Sequence, residues 1–177
     1  MIQLRSTKNC TNVPRVMFAL EELGLPYQLE AVPDGTFYKG WGSPGPTLQD
    51  GDVFVIEPAA IVRHLARRTG KLWPTSLAAQ AEGDRWIDFL QRRLVRAFDA
   101  NEPMKLASLL SFVEQKLAPG AWLLGDELTI VDCLYAYLGQ DFAKQRIPWE
   151  HFPAIAAYVE RLEARPALIK ANEQTPR

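Results

Sequence analysis

The fold is indicated most directly by residues 45–61, GPTLQDGDVFVIEPAAI. The pair Asp50-Gly51 is typical of a hairpin turn, because both residues tolerate the positive φ angles that a two-residue turn requires. Glu57 stands where the second apolar run ends, and Pro58 suits the first turn of a helix. The stretch therefore predicts a strand, a tight turn, a second strand and a helix, with an acidic residue at the last junction.

The residues before this stretch predict a βαβ unit. Residues 2–4 and 27–31 alternate between apolar and polar side chains, as half-buried strands do. Between them, apolar residues recur at helical spacing over residues 13–23. Thr11 or Asn12 is expected to cap this helix at its N-terminus.

Cys10 lies immediately before that first helix. The unpaired N–H groups and the dipole at a helix N-terminus favour an anion, and they therefore favour the thiolate form of a cysteine. No second cysteine lies three residues further on, so this position is a one-thiol site rather than a Cys-x-x-Cys redox pair. The alternative interpretation is a buried, inert cysteine.

After residue 72 the sequence predicts helices only. Two amphipathic helices are expected, over about 78–100 and from residue 103 to about residue 117. Thr129 and Asp132 have the spacing of a capping box at the start of a third helix. Cys133, on that helix, is most simply a core residue.

Composition indicates an ordinary globular protein. The chain has 177 residues, of which 47% are hydrophobic and 23% charged, and its formal net charge is −1. The basic excess of a nucleic-acid-binding protein is missing, as are a bilayer-spanning apolar run and a signal-peptide pattern. His64 and His151 are isolated, so no zinc site is expected. Two cysteines suit a reducing compartment, and we expect a cytosolic protein with no membrane or nucleic-acid partner.

In order and spacing, these features resemble the glutathione transferase superfamily over nearly the whole chain. The run CTNVPRV over residues 10–16 is most similar to the bacterial beta class, and GDELTIVD over residues 125–132 resembles the family's Gly-x-x-x-(Ser/Thr)-x-x-Asp element. The resemblance implies an α/β N-terminal domain of thioredoxin-like βαβ-ββα order over residues 1–72. It implies an all-α, helical-bundle C-terminal domain over residues 77–177. For this family the chain is short.

The same resemblance implies a glutathione site. In the family, the residue before a strand-opening proline pairs by its backbone with glutathione, and an acidic residue before the third helix binds the γ-glutamyl amine. The positions that match here are Gly45, Pro46 and Glu57. The glutathione-binding residues that the resemblance implies are Thr11, Asn12, Lys39, Gly45, Pro46, Thr47, Glu57 and Pro58. The residues it implies for an electrophile pocket are Trp86, Phe89, Arg93 and Arg96.

The implied activity is transfer chemistry with glutathione as co-substrate and without a metal. Cys10 would either stabilise the thiolate of glutathione for attack on a small electrophile, or act as the nucleophile on a mixed disulfide. The family is commonly dimeric, so a homodimer is expected.

Two departures from the family favour weaker catalysis. Pro58 stands where the family usually has a serine, and it offers neither a hydroxyl nor an N–H donor. Val95-Arg96 stands where some beta-class members have His-Lys. The alternatives to an enzyme are therefore a non-catalytic binding or assembly module, and a carrier of apolar anions.

Overall fold

The computed structural model describes residues 1–33 and 45–176, which form two compact units. The first unit comprises Met1–Leu72 together with the segment that begins at Arg165, and the second comprises Trp73–Ala164. The sequence placed residues 165–176 in the helical domain, whereas in the structure they group with the N-terminal unit.

The described elements follow one another along the chain. The strands are β1 (Ile2–Thr7), β2 (Tyr27–Val32), β3 (Thr47–Asp50) and β4 (Val53–Ile56). The helices are α1 (Val13–Glu22), α2 (Pro58–Thr69), α3 (Leu77–Phe89), α4 (Val95–Asp99), α5 (Pro103–Leu117), α6 (Ile130–Tyr135), α7 (Asp141–Lys144), α8 (Pro153–Glu163) and α9 (Pro166–Gln174). A π-helical turn, Leu90–Leu94, joins α3 to α4, and short 3-10 turns lie at Ala136–Gly139 and Trp149–His151.

The first unit is built on a four-stranded sheet in the order β2-β1-β3-β4. β1 pairs with β2 in parallel and with β3 antiparallel, and β3 pairs with β4 antiparallel. The apolar side chains of β1 and β3 and the apolar face of α1 are buried together. The predicted βαβ-ββα order is therefore confirmed.

The predicted hairpin is also present. Asp50 pairs with Val53, and Gly51 at the turn has a φ of 58°. The carboxylate of Asp50 lies 2.9 Å from the His64 ring and 2.9 Å from the Arg68 guanidinium, both on α2. The hairpin is thus fixed to the helix that follows it.

The second unit is helical and is organised around the start of α6. The predicted capping box of Thr129 and Asp132 is formed. The Asp132 carboxylate also accepts hydrogen bonds from the Leu123 amide at 3.0 Å and the Tyr158 hydroxyl at 2.9 Å. Cys133 is fully buried, as the sequence predicted. Within the described ranges, the helices are too short or too polar to cross a membrane.

Candidate functional site

Cys10 lies in the short connection between β1 and α1. Its side chain is half-buried, and its thiol donates to the carbonyl oxygen of Gly45 over 3.9 Å. The Cys10 carbonyl accepts a hydrogen bond from the Val13 amide at 3.3 Å, at the first residue of α1. Asn9, just before Cys10, adopts a left-handed φ of 54°, a conformation that asparagine tolerates better than most residues. The thiol is therefore at the N-terminal end of α1, as predicted, and faces the entry to β3.

The position of Gly45 has little room for a side chain. Its φ is 123°, and a Cβ atom added there would lie 3.2 Å from Ser6 Cα and 3.3 Å from the Arg5 carbonyl oxygen. The bond from Gly45 to Pro46 is cis. Gly45 thus brings the backbone at the start of β3 close to the end of β1.

The sheet register places several predicted site residues at one end of the sheet. Thr47 in β3 is opposite Arg5 in β1 on one side and Ile56 in β4 on the other. Four predicted site residues lie beyond this row: Cys10 follows β1, Gly45 and Pro46 precede β3, and Glu57 follows β4. One end of the sheet therefore carries the thiol, the Gly45 backbone and the acidic residue.

Glu57 has an unusual backbone conformation, with φ 70° and ψ 126°. A non-glycine residue in such a region costs of order 1–3 kcal/mol, and such residues cluster at functional sites. Its carbonyl begins α2 by accepting from the Ile61 amide at 2.9 Å, whereas its side chain makes no capping bond and is exposed. Pro58 occupies the first turn of α2, as predicted, and is buried. The Glu57 carboxylate therefore does not cap α2, and it is accessible to a ligand.

Thr47, which the resemblance placed among the glutathione-binding residues, is buried in the sheet. It lies in β3, an interior strand with β1 on one side and β4 on the other, and only 1% of its surface is exposed. Gly45 and Pro46 precede the paired residues of β3. The assignment of Thr47 to the glutathione site stays a prediction.

The N-terminal end of α1 differs from expectation at Asn12. Asn12 is at the N-cap position of α1, but its side chain makes no capping hydrogen bond. The Asn12 side-chain oxygen instead accepts a hydrogen bond from the Arg15 guanidinium. Thr11 is exposed next to Cys10. Of the two residues predicted to cap this helix, Thr11 or Asn12, Asn12 lies at the N-cap position without a side-chain capping bond, and the predicted start of the helix is correct.

Arg15 is a site-adjacent residue that the sequence did not single out. Its surface is only 1% exposed, although it carries a permanent charge. Its guanidinium contacts Asn12, two residues after Cys10. An arginine between apolar residues of an amphipathic helix normally indicates the solvent face, so helical periodicity alone could not have identified it.

Lys39 was predicted to bind glutathione, and it lies outside the described residues. Within residues 1–33 and 45–176, the side chains of His, Cys, Asp and Glu form no group of three or more that could hold a metal ion.

The residues predicted for an electrophile pocket belong to the second unit. Trp86 is 2% exposed and packs edge-to-face against Tyr135 and Phe89. Phe89 is half-buried, and Arg93 and Arg96 are exposed, Arg93 on the π-helical turn and Arg96 on α4. Trp86 is thus a core residue by its burial. The assignment of these four side chains to a pocket stays a prediction.

Comparison with known proteins gives a consistent result. A family model for the C-terminal domain of glutathione S-transferases matches residues 96–166. Glutathione S-transferase GstB of Escherichia coli (strain K12) is 28% identical over an alignment of 210 positions, which covers 96% of this chain and 97% of that protein.

Solved structures agree with the sequence relatives. A glutathione S-transferase of Actinobacillus pleuropneumoniae has a TM-score of 0.81 and 25% identity, and the match covers 99% of this chain and 93% of that one. A glutathione transferase of Burkholderia graminis, solved with two glutathione molecules bound per subunit, has a TM-score of 0.89 at 23% identity, covering 99% and 89% of the two chains. The predicted fold class, a thioredoxin-like domain followed by a helical domain, is confirmed.

Proposed function

We propose that this chain, as a member of the glutathione transferase superfamily, binds glutathione at the end of the sheet beside Cys10. We propose further that it transfers thiol groups through that cysteine. The observation that supports this proposal is the 3.9 Å contact between the Cys10 thiol and the Gly45 carbonyl. A glutathione molecule whose cysteine pairs with the Gly45 backbone would have its sulfur next to Cys10. The carboxylate of Glu57, at the same end of the sheet, would hold the α-amine of the γ-glutamyl group.

The proposed reaction proceeds by two thiol-disulfide exchanges. The Cys10 thiolate attacks the glutathione sulfur of a glutathionylated substrate, and the substrate sulfur leaves as a thiolate that takes up a proton. The thiolate of a second glutathione then attacks the Cys10–glutathione disulfide, which releases Cys10 and oxidised glutathione. Each step breaks one disulfide and forms one, so glutathione is the only reductant required.

Conjugation of glutathione to a small electrophile is the second reaction that this site can support. In that case the Cys10 thiol would donate to the sulfur of glutathione and stabilise its thiolate, which attacks the electrophile. Trp86, Phe89, Arg93 and Arg96 remain the proposed electrophile-binding residues. Cys10 is half-buried rather than fully buried, which favours thiol transfer, because a disulfide must reach the cysteine that attacks it.

One observation favours a non-catalytic binding module instead. Pro58 is buried in the first turn of α2 and has no N–H or hydroxyl with which to bind the γ-glutamyl carboxylate. Loss of one or two hydrogen bonds to a charged group costs about 1.5–3 kcal/mol each, which would weaken glutathione binding at least tenfold. A module of this kind would hold a protein partner or an apolar anion on the same scaffold.

We also propose a homodimer, on the basis of exposed apolar side chains. Met104 and Phe112, both on α5, are 88% and 56% exposed. We propose that this helix contacts a second copy of the chain, which would bury these side chains. Light scattering at micromolar concentration should give about twice the chain mass of 20.0 kDa. A monomer mass would exclude the dimer.

The proposed function is tested in two steps with freshly reduced protein. Calorimetric titration with glutathione should give binding in the micromolar to low millimolar range. Reduction of a glutathionylated peptide should then be nearly abolished in Cys10→Ser and retained in Cys133→Ala, because Cys133 is fully buried. Turnover that survives in Cys10→Ser would exclude the nucleophile role, and the absence of glutathione binding would favour the binding module.

A further inference from the structure

The segment 165–176 contacts the C-terminal end of α1 and the connection that precedes its N-terminal end. At the C-terminal end of α1, the Arg165 guanidinium makes two hydrogen bonds of 2.6 Å to the Glu22 carboxylate. Further along α9, the Lys170 ammonium lies 2.7 Å from Glu21. The chain then reaches the opposite end of α1, where the Pro176 carbonyl accepts a hydrogen bond of 3.0 Å from the amide of Asn9.

The lengths of the two helices explain how one segment reaches both ends. α1 has 10 residues and α9 has 9. At a rise of about 1.5 Å per residue, they extend roughly 15 and 14 Å. The segment that begins at Arg165 is therefore long enough to start at the Glu22 end of α1, and the residues just after α9 reach the connection that carries Cys10.

Packing supports the same arrangement between the two ends. Leu168 is 4% exposed and Ala171 is fully buried, so one face of α9 is apolar and packed against the protein. The Tyr27 hydroxyl lies 3.0 Å from Glu21 and 3.3 Å from the side chain of Gln174, which links the last turn of α9 to the start of β2. These contacts hold α9 in place independently of the Asn9 hydrogen bond.

The Asn9 hydrogen bond acts on the residue next to the thiol. Asn9 is in a left-handed conformation and directly precedes Cys10, so its backbone conformation sets the direction in which the chain enters Cys10. We propose that the segment 165–176 is a positioning element that holds the Asn9–Cys10 connection, and with it the Cys10 thiol, against the Gly45 carbonyl. Its consequence for turnover rests on the proposed function, whereas its effect on the thiol does not.

The test compares alkylation of the two cysteines in the intact chain and in a variant that lacks residues 176 and 177, which removes the Pro176 carbonyl and keeps α9 and the Gln174 contact with Tyr27. We expect iodoacetamide to modify Cys10 about fivefold faster in the shortened chain, which is the effect that loss of one hydrogen bond has on a local opening equilibrium. Cys133, fully buried in the second unit, should stay equally slow in both chains and reports on unfolding of that unit. If the proposed activity exists, kcat for the glutathionylated peptide should fall while KM for glutathione changes little.

A matched control separates positioning from loss of stability. Asp50→Asn weakens the contacts of the hairpin with α2 in the same unit and leaves residues 165–176 untouched. This variant should be less stable without faster alkylation of Cys10. Equal alkylation rates in the intact and shortened chains, or equal acceleration in the shortened chain and Asp50→Asn, would overturn the proposal.

Hydrogen exchange in the intact chain provides a test that needs no variant. The amide of Asn9 should be protected to about the same extent as that of Ile169 in α9, since both depend on the docked segment. Exchange of the Asn9 amide at the rate of an unprotected loop would overturn the proposal, even if the shortened chain did not fold. Neither measurement requires glutathione, so a failure of the proposed function leaves both results interpretable.

Discussion

The Sγ atom of Cys10 lies 3.9 Å from the carbonyl oxygen of Gly45, and this contact joins the N-terminal end of α1 to the entry of β3. It depends on a backbone conformation that only glycine adopts readily, with φ at 123°. The position of the thiol and the absence of a side chain at Gly45 are therefore parts of the same arrangement.

Gly45→Ala should disturb both stability and thiol position. The added Cβ would lie 3.2 Å from Ser6 Cα and 3.3 Å from the Arg5 carbonyl oxygen, and both contacts are with backbone that has little freedom to move. We expect a loss of about 2–4 kcal/mol in the free energy of unfolding, measured by urea denaturation. Gly51→Ala is the control, because Gly51 has a φ of 58° but no atom within 4 Å of the added Cβ. Its loss should be about 1 kcal/mol, and equal losses in the two variants would contradict this account.

Much of this site follows from the sequence because its elements are local. The turn at Gly51, the proline in the first turn of α2 and the cysteine before α1 are encoded within a few residues of each position. Parallel pairing of β1 with β2 and the hairpin of β3 and β4 then leave few arrangements of the sheet. The capping box at Thr129 is local in the same sense and is formed as predicted.

The rest of the site depends on contacts between distant residues. The burial of Arg15 and the docking of residues 165–176 on α1 involve partners that periodicity does not identify. The interior position of β3 is a further case, because the order of strands in a sheet cannot be read from one strand's sequence. In these cases, contacts between distant residues determine the structure, and local sequence preferences do not.

Glu57→Gly should increase stability and weaken ligand binding. The conformation of Glu57, with φ 70° and ψ 126°, costs a non-glycine residue about 1–3 kcal/mol, whereas the greater chain entropy of glycine offsets about 0.5–1 kcal/mol. We therefore expect a gain of about 1 kcal/mol in urea denaturation, together with at least tenfold weaker glutathione binding by calorimetry. Glu57→Gln should weaken binding in the same way while leaving stability unchanged. A destabilised Glu57→Gly would show that the observed backbone conformation carries no strain.

Pro58→Ser should strengthen glutathione binding by restoring two donors. The serine adds a hydroxyl and a backbone N–H at the N-terminal end of α2, where an anion is also favoured by the helix dipole. We expect glutathione to bind about tenfold more tightly, because a hydrogen bond to a charged group is worth about 1.5–3 kcal/mol and part of this is offset by lost rigidity. Pro58→Ala restores only the N–H and should lie between the two. If all three proteins bind equally, the ligand carboxylate does not reach this helix.

Glu82→Gln should flatten the dependence of stability on pH in acid. Hydrogen bonds of 2.7 and 2.8 Å from Arg85, and a weaker contribution from Trp86, lower the pKa of Glu82 from 4.5 to about 2, although partial burial acts in the opposite direction. Because the folded-state pKa lies below the unfolded value, the carboxylate stabilises the fold fully above pH 4.5, and this contribution is lost as the pH falls towards 2. The melting temperature of the wild-type chain, followed by circular dichroism, should therefore fall more steeply between pH 5 and 3 than that of Glu82→Gln. Asp88→Asn, which removes an exposed carboxylate 3.8 Å from Arg92 on the same helix, should keep the wild-type slope. Parallel melting curves for wild type and Glu82→Gln would mean that solvent screens the Glu82–Arg85 pair completely.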